Sequence, residues 1–416
     1  MEFGRPMDWI RPLDLIHPGM IVAIWGFGAV LVMRDRPRLP KPLKYMLAFL
    51  ALMAWQVPWA MNNRWALWGM RDYAVLILGG VLPLAVLPTN FGSVKNLLGA
   101  YVALHVPMAL HGLLHAGTGQ GGWITDENDL ALALNAALGV GLFLFLEAHT
   151  AARKLWLLVC LTMFVAGVAA TRSRGGFVGL ATLGAVVFFV SPPRRKLIVV
   201  MVVIIAVLGL AVLAPAQYWS RIQTIQTASG EGDTGFQRLY MWGLAWRMFL
   251  HHPVFGVGTN NYGIQAPYYE DTAYAEQAGV YLWGRVCHSL YFTVLSEQGL
   301  VGTTLFVLVL GWTFATGRKI RRRAAVRHEN PDAVSAEFFA TGLLAGVIGV
   351  LVSGAFLTVL YYPVLWVLVG LMAALDRACA GILAVPVEPK TVDPPRRRMD
   401  VRRRASQSPL MIGQTP

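Results

Sequence analysis

Charge is scarce in this sequence. Asp, Glu, Lys and Arg make up 14% of its 416 residues, whereas hydrophobic side chains make up 56%. A soluble chain carries about a quarter charged residues, and a mean hydropathy of +0.54 points the same way. Cysteine is scarcer still. Cys160, Cys287 and Cys379 stand far apart with no CxxC pair, so neither a disulfide framework nor a zinc or redox-dithiol motif is suggested. A phosphate-cradling nucleotide loop is also missing, as is any internal repeat of roughly 20–50 residues. The net charge of +13 raises nucleic acid as a partner, but its distribution along the chain points elsewhere.

What the chain does have is a succession of apolar runs, and crossing a bilayer takes roughly 17–25 such residues. Eleven spans are predicted, at 16–33, 45–61, 73–90, 96–116, 129–148, 155–171, 175–190, 197–214, 288–314, 338–356 and 359–376. The last two lie so close together that they could form one broken unit. The first has no small-residue cleavage site behind it and reads as retained rather than as a signal peptide. Ahead of it, "MDWIRPLDLIH" could form an interfacial helix or a twelfth segment. The expected fold class is all-α, a polytopic transmembrane helical bundle with one large periplasmic loop that contains helices. Residues 1–214 are the N-terminal transmembrane helices, 215–287 the loop, 288–378 the C-terminal transmembrane helices, and 379–416 a basic tail whose Pro- and Arg-rich composition predicts disorder.

Alternate loops divide the positive charge unequally. The set 34–44, 91–96, 149–154, 191–196, 315–335 and the tail holds 25 of the 35 Lys and Arg residues, and the opposite set holds 10. The rich set is therefore cytoplasmic. "GRKIRRRAAVR" and "RRRMDVRRR" read as anchors that can lie against anionic membrane lipids. No aromatic residue interleaves them, so nucleic acid is not an expected partner. The turn 171–174 and the loop 215–287 then share the non-cytoplasmic face, and His288 opens the next span from that face.

Several stretches on this face could carry chemistry. "TRSRGGFVGL" (171–180) sets Arg172 and Arg174 between two apolar runs, followed by Gly175 and Gly176. Snorkelling to the interface is the bland explanation, but these arginines stand on the side depleted of positive charge. Guanidinium groups hold phosphate oxygens bidentately, and ionisable groups at membrane depth suggest function. "FQRLYMWGLAWRMFLHHPVFGVGTNNYG" (236–263) begins as an amphipathic helix with Leu239, Trp242, Leu244, Trp246 and Phe249 as its apolar members. Its Arg238 could face an anionic headgroup or be simply solvated. In "RVCHSLYFTVLSEQGLVG" (285–302), His288 is a structural hydrogen-bonder or a general base. Glu297 in the same run requires a partner, such as an arginine or a backbone donor. In "GGWITDENDLALALN" (121–135), Asp126 reads as an N-cap with Asp129 in the first helical turn. Trp123 could stack on a sugar or belong to the interfacial belt. His111 and His115 have metal-ligand spacing, but no third ligand accompanies them.

Taken together and in order, "TDENDLALAL" with Asn128, "TRSRGGFVGL", "RLYMWGLAWRMFLHHPVFGVGTNNYG" and "HSLYFTVLSEQGLVG" resemble the O-antigen ligase/polymerase family of bacterial membrane glycosyltransferases. The resemblance covers roughly residues 120–310. It implies an inner-membrane enzyme whose site faces the periplasm and takes a glycan from an undecaprenyl-pyrophosphate carrier. A ligase passes the glycan to lipid A–core, and a polymerase passes it to another carrier-linked glycan. Matched by motif, Arg172, Arg174 and Arg238 would bind the pyrophosphate and His288 would be the catalytic base, with no metal or other cofactor. Family members often carry His-Asn where this chain has His288-Ser289. A transporter of lipid-linked glycans is the expectation from a different class, but no two related halves are visible.

Overall fold

The computed structural model describes residues 18–34, 38–124, 126–190, 234–270 and 282–384. The predicted span 197–214, the N-terminal segment and most of the basic tail lie outside the described residues. Among those described, the regular elements are helical. They are α1 (Pro18–Leu31), α2 (Lys41–Gln56), α3 (Asn63–Ala74), α4 (Phe91–Leu114), α5 (Glu127–Glu147), α6 (Ala151–Ala170), α7 (Arg174–Val190), α8 (Thr234–His251), α9 (Leu290–Ala325), α10 (Pro331–Gly354) and α11 (Pro363–Ala384). A wide-turn stretch, Val75–Val81, and a last turn, Leu82–Val86, prolong α3. Seven of these helices are long and apolar enough to cross a membrane, and α1 and α7 are shorter apolar helices. The chain is a multi-pass membrane protein.

Helices α5 and α10 form the middle of the bundle. Both are apolar on every side, which suits a helix with neighbours all round rather than one facing. Small residues let them meet closely. A Cβ at Gly139 would fall 2.7 Å from the Gly346 backbone nitrogen, so the two backbones touch where membrane helices commonly use glycine. The predicted pair 338–356 and 359–376 resolves as two helices, α10 and α11, joined by the connector "AFLTVLYY" (355–362).

The ends of the bundle differ in character. At one end Glu147, 2% exposed, receives Lys95 Nζ at 2.6 Å and Ser335 Oγ at 2.9 Å, with Arg153 Nη1 at 3.4 Å. One buried carboxylate thus ties α4, α5, α6 and α10 together beneath the loops that are rich in positive charge. The opposite end gathers the turn 171–173, the connector 355–362 and the segments 253–262 and 282–289.

The predicted span 288–314 needs correction. Helix α9 begins at Leu290 and is broken at Gly299, where φ is 61° and ψ is −162°. Only the part after the break is a continuous rod, about 39 Å long at 1.5 Å per residue.

Replacing Gly139 by Val should wedge α5 from α10 and cost about 1–3 kcal/mol. Thermal unfolding in detergent should show the loss. Gly99→Ala, a position open to space, should melt within a degree or two of the parent.

Candidate functional site

The turn between α6 and α7 is built by short polar side chains. Thr171 Oγ1 donates to Val168 O at 2.7 Å, closing α6. Ser173 Oγ accepts from Gly176 N at 2.9 Å, opening α7, and donates to Asn128 Oδ1 at 2.7 Å. Asn128 is held in turn by Asp126, whose Oδ1 accepts from Asn128 N and Asp129 N at 2.8 and 3.0 Å. Asp126 is therefore the N-cap of α5, as its position in the sequence suggests. Between these contacts Arg172 adopts φ 51°, a left-handed conformation that costs a non-glycine residue about 1–2 kcal/mol. Arg172 and Arg174 are both half-buried at this rim.

The connector 355–362 brings the remaining parts to this turn. A Cβ at Gly175 would lie 3.8 Å from Phe356 Cβ. On its other side Phe356 meets α8, with Arg238 Cζ 6.0 Å from its ring centre and the Trp242 ring at 6.3 Å. Two residues on, Thr358 Oγ1 accepts from His288 N at 2.8 Å. The His288 carbonyl accepts from Trp242 Nε1 at 3.3 Å, and Trp242 itself stacks on Phe292 at 5.4 Å. His288 is thus held on both sides of its backbone in a left-handed conformation, φ 53°. Strain of this kind persists only where the surroundings over-determine it, and it clusters at functional sites.

Burial lowers the His288 imidazole below its ordinary value of 6.5, and Arg238 and then Arg285 lower it further against an opposing pull from Asp126. At neutral pH the ring is neutral and can accept a proton. Gly175, next to Arg174 in sequence, approaches Phe356 from the α7 side, and Arg238 approaches it from α8. Trp123, four residues before the α5 entry, packs edge-on against Tyr362 at 5.6 Å. Ser289 caps α9, its Oγ accepting from Phe292 N at 3.4 Å.

Glu297 belongs to a separate knot. Its carboxylate accepts from Asn260 N at 3.0 Å, Tyr262 N at 3.1 Å and the Tyr361 hydroxyl at 2.6 Å. Backbone donors and a phenol thus take the place of the arginine that was one expectation. The segment 253–258 also supplies what the broken helix lacks. Val257 N and Gly258 N donate to Ser296 O and Glu297 O, while Leu300 N and Val301 N donate to Pro253 O and Val254 O. Gly256 and Gly299 are the closest points, since a Cβ on either would fall about 2.4–2.5 Å from the opposite backbone. Gln56 Nε2 adds bonds to Glu297 O and Phe255 O at 2.9 and 2.6 Å.

One expectation shifts. In α8 the buried side chains are Met241, Leu244, Ala245 and Met248, whereas Leu239 and Trp246 are exposed. The face is chosen by the folded-back segment around Val257, Tyr262 and Ala266, which packs there. His111 and His115 stack at 4.0 Å, with His115 Nδ1 3.0 Å from His111 O. Among the described residues no group of three His, Cys, Asp or Glu is placed to hold a metal.

Residues 157–307 match the family model described as O-antigen ligase. That segment is similar to the O-antigen ligase family. A search of curated proteins finds no match. Members of the O-antigen ligase/polymerase family are membrane glycosyltransferase-like ligases and polymerases. The matched segment includes Arg172, Arg174, Arg238, His288 and the Glu297 knot. It stops short of the connector, so Phe356, Thr358, Tyr361 and Tyr362 were not among the residues the motifs singled out. Their one sequence signal is a Thr-and-Tyr interruption between two apolar runs.

Thr358→Val should leave the His288 amide without its acceptor and cost about 1–3 kcal/mol. Hydrogen exchange at residues 286–290 should accelerate, and Thr358→Ser should restore protection. Glu297→Gln puts an amide NH₂ against backbone donors. It should lower stability by about 1.5–3 kcal/mol, read as a lower melting temperature with the helical circular dichroism retained.

Proposed function

We propose that this protein transfers a glycan from an undecaprenyl-pyrophosphate carrier to an acceptor hydroxyl at the periplasmic face of the inner membrane, with lipid A–core as the acceptor. The observation that carries the reading is His288, clamped through both sides of its backbone by Thr358 and Trp242 within a segment that matches the O-antigen ligase model.

In this reading the pyrophosphate sits between the α6–α7 turn and the start of α8, on Arg172, Arg174 and Arg238. The acceptor oxygen attacks the anomeric carbon from the face opposite the leaving group. Its C–O bond forms as the bond to the carrier pyrophosphate breaks, and the anomeric centre inverts. His288 takes the hydroxyl proton. Negative charge develops on the departing phosphate oxygen, where fixed guanidinium groups stabilise it without reorganisation. The diphosphate is already an activated leaving group, so no metal or nucleotide is assigned a role. Membrane lipids surround the polyprenyl chain while its diphosphate stays at the rim, which accounts for arginines at the boundary of two apolar helices.

The test uses purified protein in nanodiscs, an undecaprenyl-pyrophosphate glycan and two competing acceptors, lipid A–core and a second carrier-linked glycan, with chelator present. Transfer to lipid A–core is expected, and chain lengthening on the carrier would instead make the protein a polymerase with the same site. His288→Ala should reduce turnover by about 10²–10⁴, the usual worth of a general base. Arg172→Ala, Arg174→Ala and Arg238→Ala should each reduce it and raise the donor KM. Because the His288 value is lowered, activity should be lost only as pH falls through a midpoint below 6.5. Folded parent protein that moves lipid-linked glycan across the bilayer but transfers none would instead make it a transporter.

A further inference from the structure

Three tryptophans gather at the same end of the bundle as His288, outside the machinery assigned above. Trp65 and Trp283 pack at 5.9 Å between ring centres, tilted by 52°. Trp68, one turn after Trp65 on α3, carries Arg64 over its face at 4.5 Å. Trp283 is 50% exposed and Trp68 42% exposed.

These indoles are held by polar contacts rather than by a core. Asn62 caps α3 by accepting from Trp65 N at 3.0 Å, and its own N–H donates to Asn261 Oδ1 at 2.8 Å. Trp283 stands at the corner of a tight turn closed by Arg285 N to Leu282 O at 3.1 Å, with Gly284 at φ 77°. That φ at the third position marks a turn of the glycine-requiring type. Gly284 N also donates to Gly263 O at 2.9 Å. Segments 62–68, 261–263 and 282–285 are therefore one rigid piece, with the indoles on its surface.

A tryptophan of the interfacial belt sits on a membrane helix with its ring among the lipid headgroups. Trp283 instead tops a tight turn in the non-helical segment before α9, five residues and so at most about 17 Å of chain from His288. A sugar ring presents a face of C–H bonds, slightly positive, that lies well on the negative face of an indole. Arg64 and Arg285 flank the pair in sequence and add the donors that anionic substituents require. We propose that Trp65 and Trp283 form the platform on which the acceptor saccharide rests, and that Arg64 and Arg285 favour one bearing phosphate or carboxylate groups. This assignment rests on the glycan-transfer reading.

Calorimetry with the full chain in nanodiscs tests it, using two soluble probes: deacylated lipid A–core saccharide, and the glycan released from the carrier. The parent should bind at least one of them, the more anionic more tightly. Trp283→Ala and Trp65→Ala should each weaken that binding by about fivefold or more. Trp283→Phe should recover most of it. In turnover, Trp283→Ala should raise the acceptor KM while kcat and the donor KM hold.

Binding of neither probe by the parent, or unchanged affinity in both tryptophan variants, overturns the proposal. So does a Trp283→Ala variant that keeps its saccharide affinity and loses only its stability in the bilayer, which would return the indoles to the membrane belt. Saccharide binding without any transfer sinks the catalytic reading and leaves the platform standing. Transfer with an unchanged acceptor KM in both variants does the reverse.

Discussion

The end of the molecule that holds His288 depends on a broken helix. At Gly299 the α9 backbone leaves helical geometry, and a membrane boundary is a costly place for unpaired peptide groups. The segment 253–258 satisfies them, donating to the last carbonyls before the break and accepting from the first amides after it. Glu297 locks this exchange by drawing in Asn260, Tyr262 and Tyr361. Because the segment folds back onto α9, α8 is laid against the same helix and Trp242 reaches His288. Position at the candidate site is thus inherited from backbone pairing several residues away.

The candidate site itself is assembled from chain segments that are remote in sequence. Asn128 meets Ser173, Gly175 meets Phe356, Phe356 meets Arg238, and Thr358 meets His288. The connector between α10 and α11 is the common neighbour. It supplies an aromatic ring beside Arg238 and a hydroxyl to hold the His288 backbone, while none of its side chains carries a charge. The connector lies outside the segment similar to the O-antigen ligase family, which ends at residue 307.

Local signals in the sequence proved legible where a single segment carries the physics. The Asp126 cap, the need of Glu297 for donors, and the Arg172–Arg174 interruption can each be read from neighbouring residues. The buried face of α8 could not be read that way. Leu239 and Trp246 are as apolar as Met241 and Leu244, and the choice between faces was made by the returning segment 253–266. The connector was hidden for a related reason. Phe356, Leu357, Val359 and Leu360 continue the apolar run, so only contacts with distant residues reveal Thr358 as a clamp. The break in α9 falls between these cases, since "SEQGLVG" signals a glycine but not the carbonyls that must meet it.

The order of synthesis gives the connector a further meaning. Chains emerge from the N-terminus onward, and domains begin to fold as they do. Every arginine and the histidine assigned to chemistry is made by residue 288, yet the hydroxyl that holds His288 arrives at residue 358 and the phenol that closes the Glu297 knot at residue 361. A nascent chain made only through α9 therefore carries His288 and Glu297 without these two partners. His288 gains its Thr358 partner only after α10 is made and the chain has turned back, so the connector is the last part of the candidate site to be synthesised.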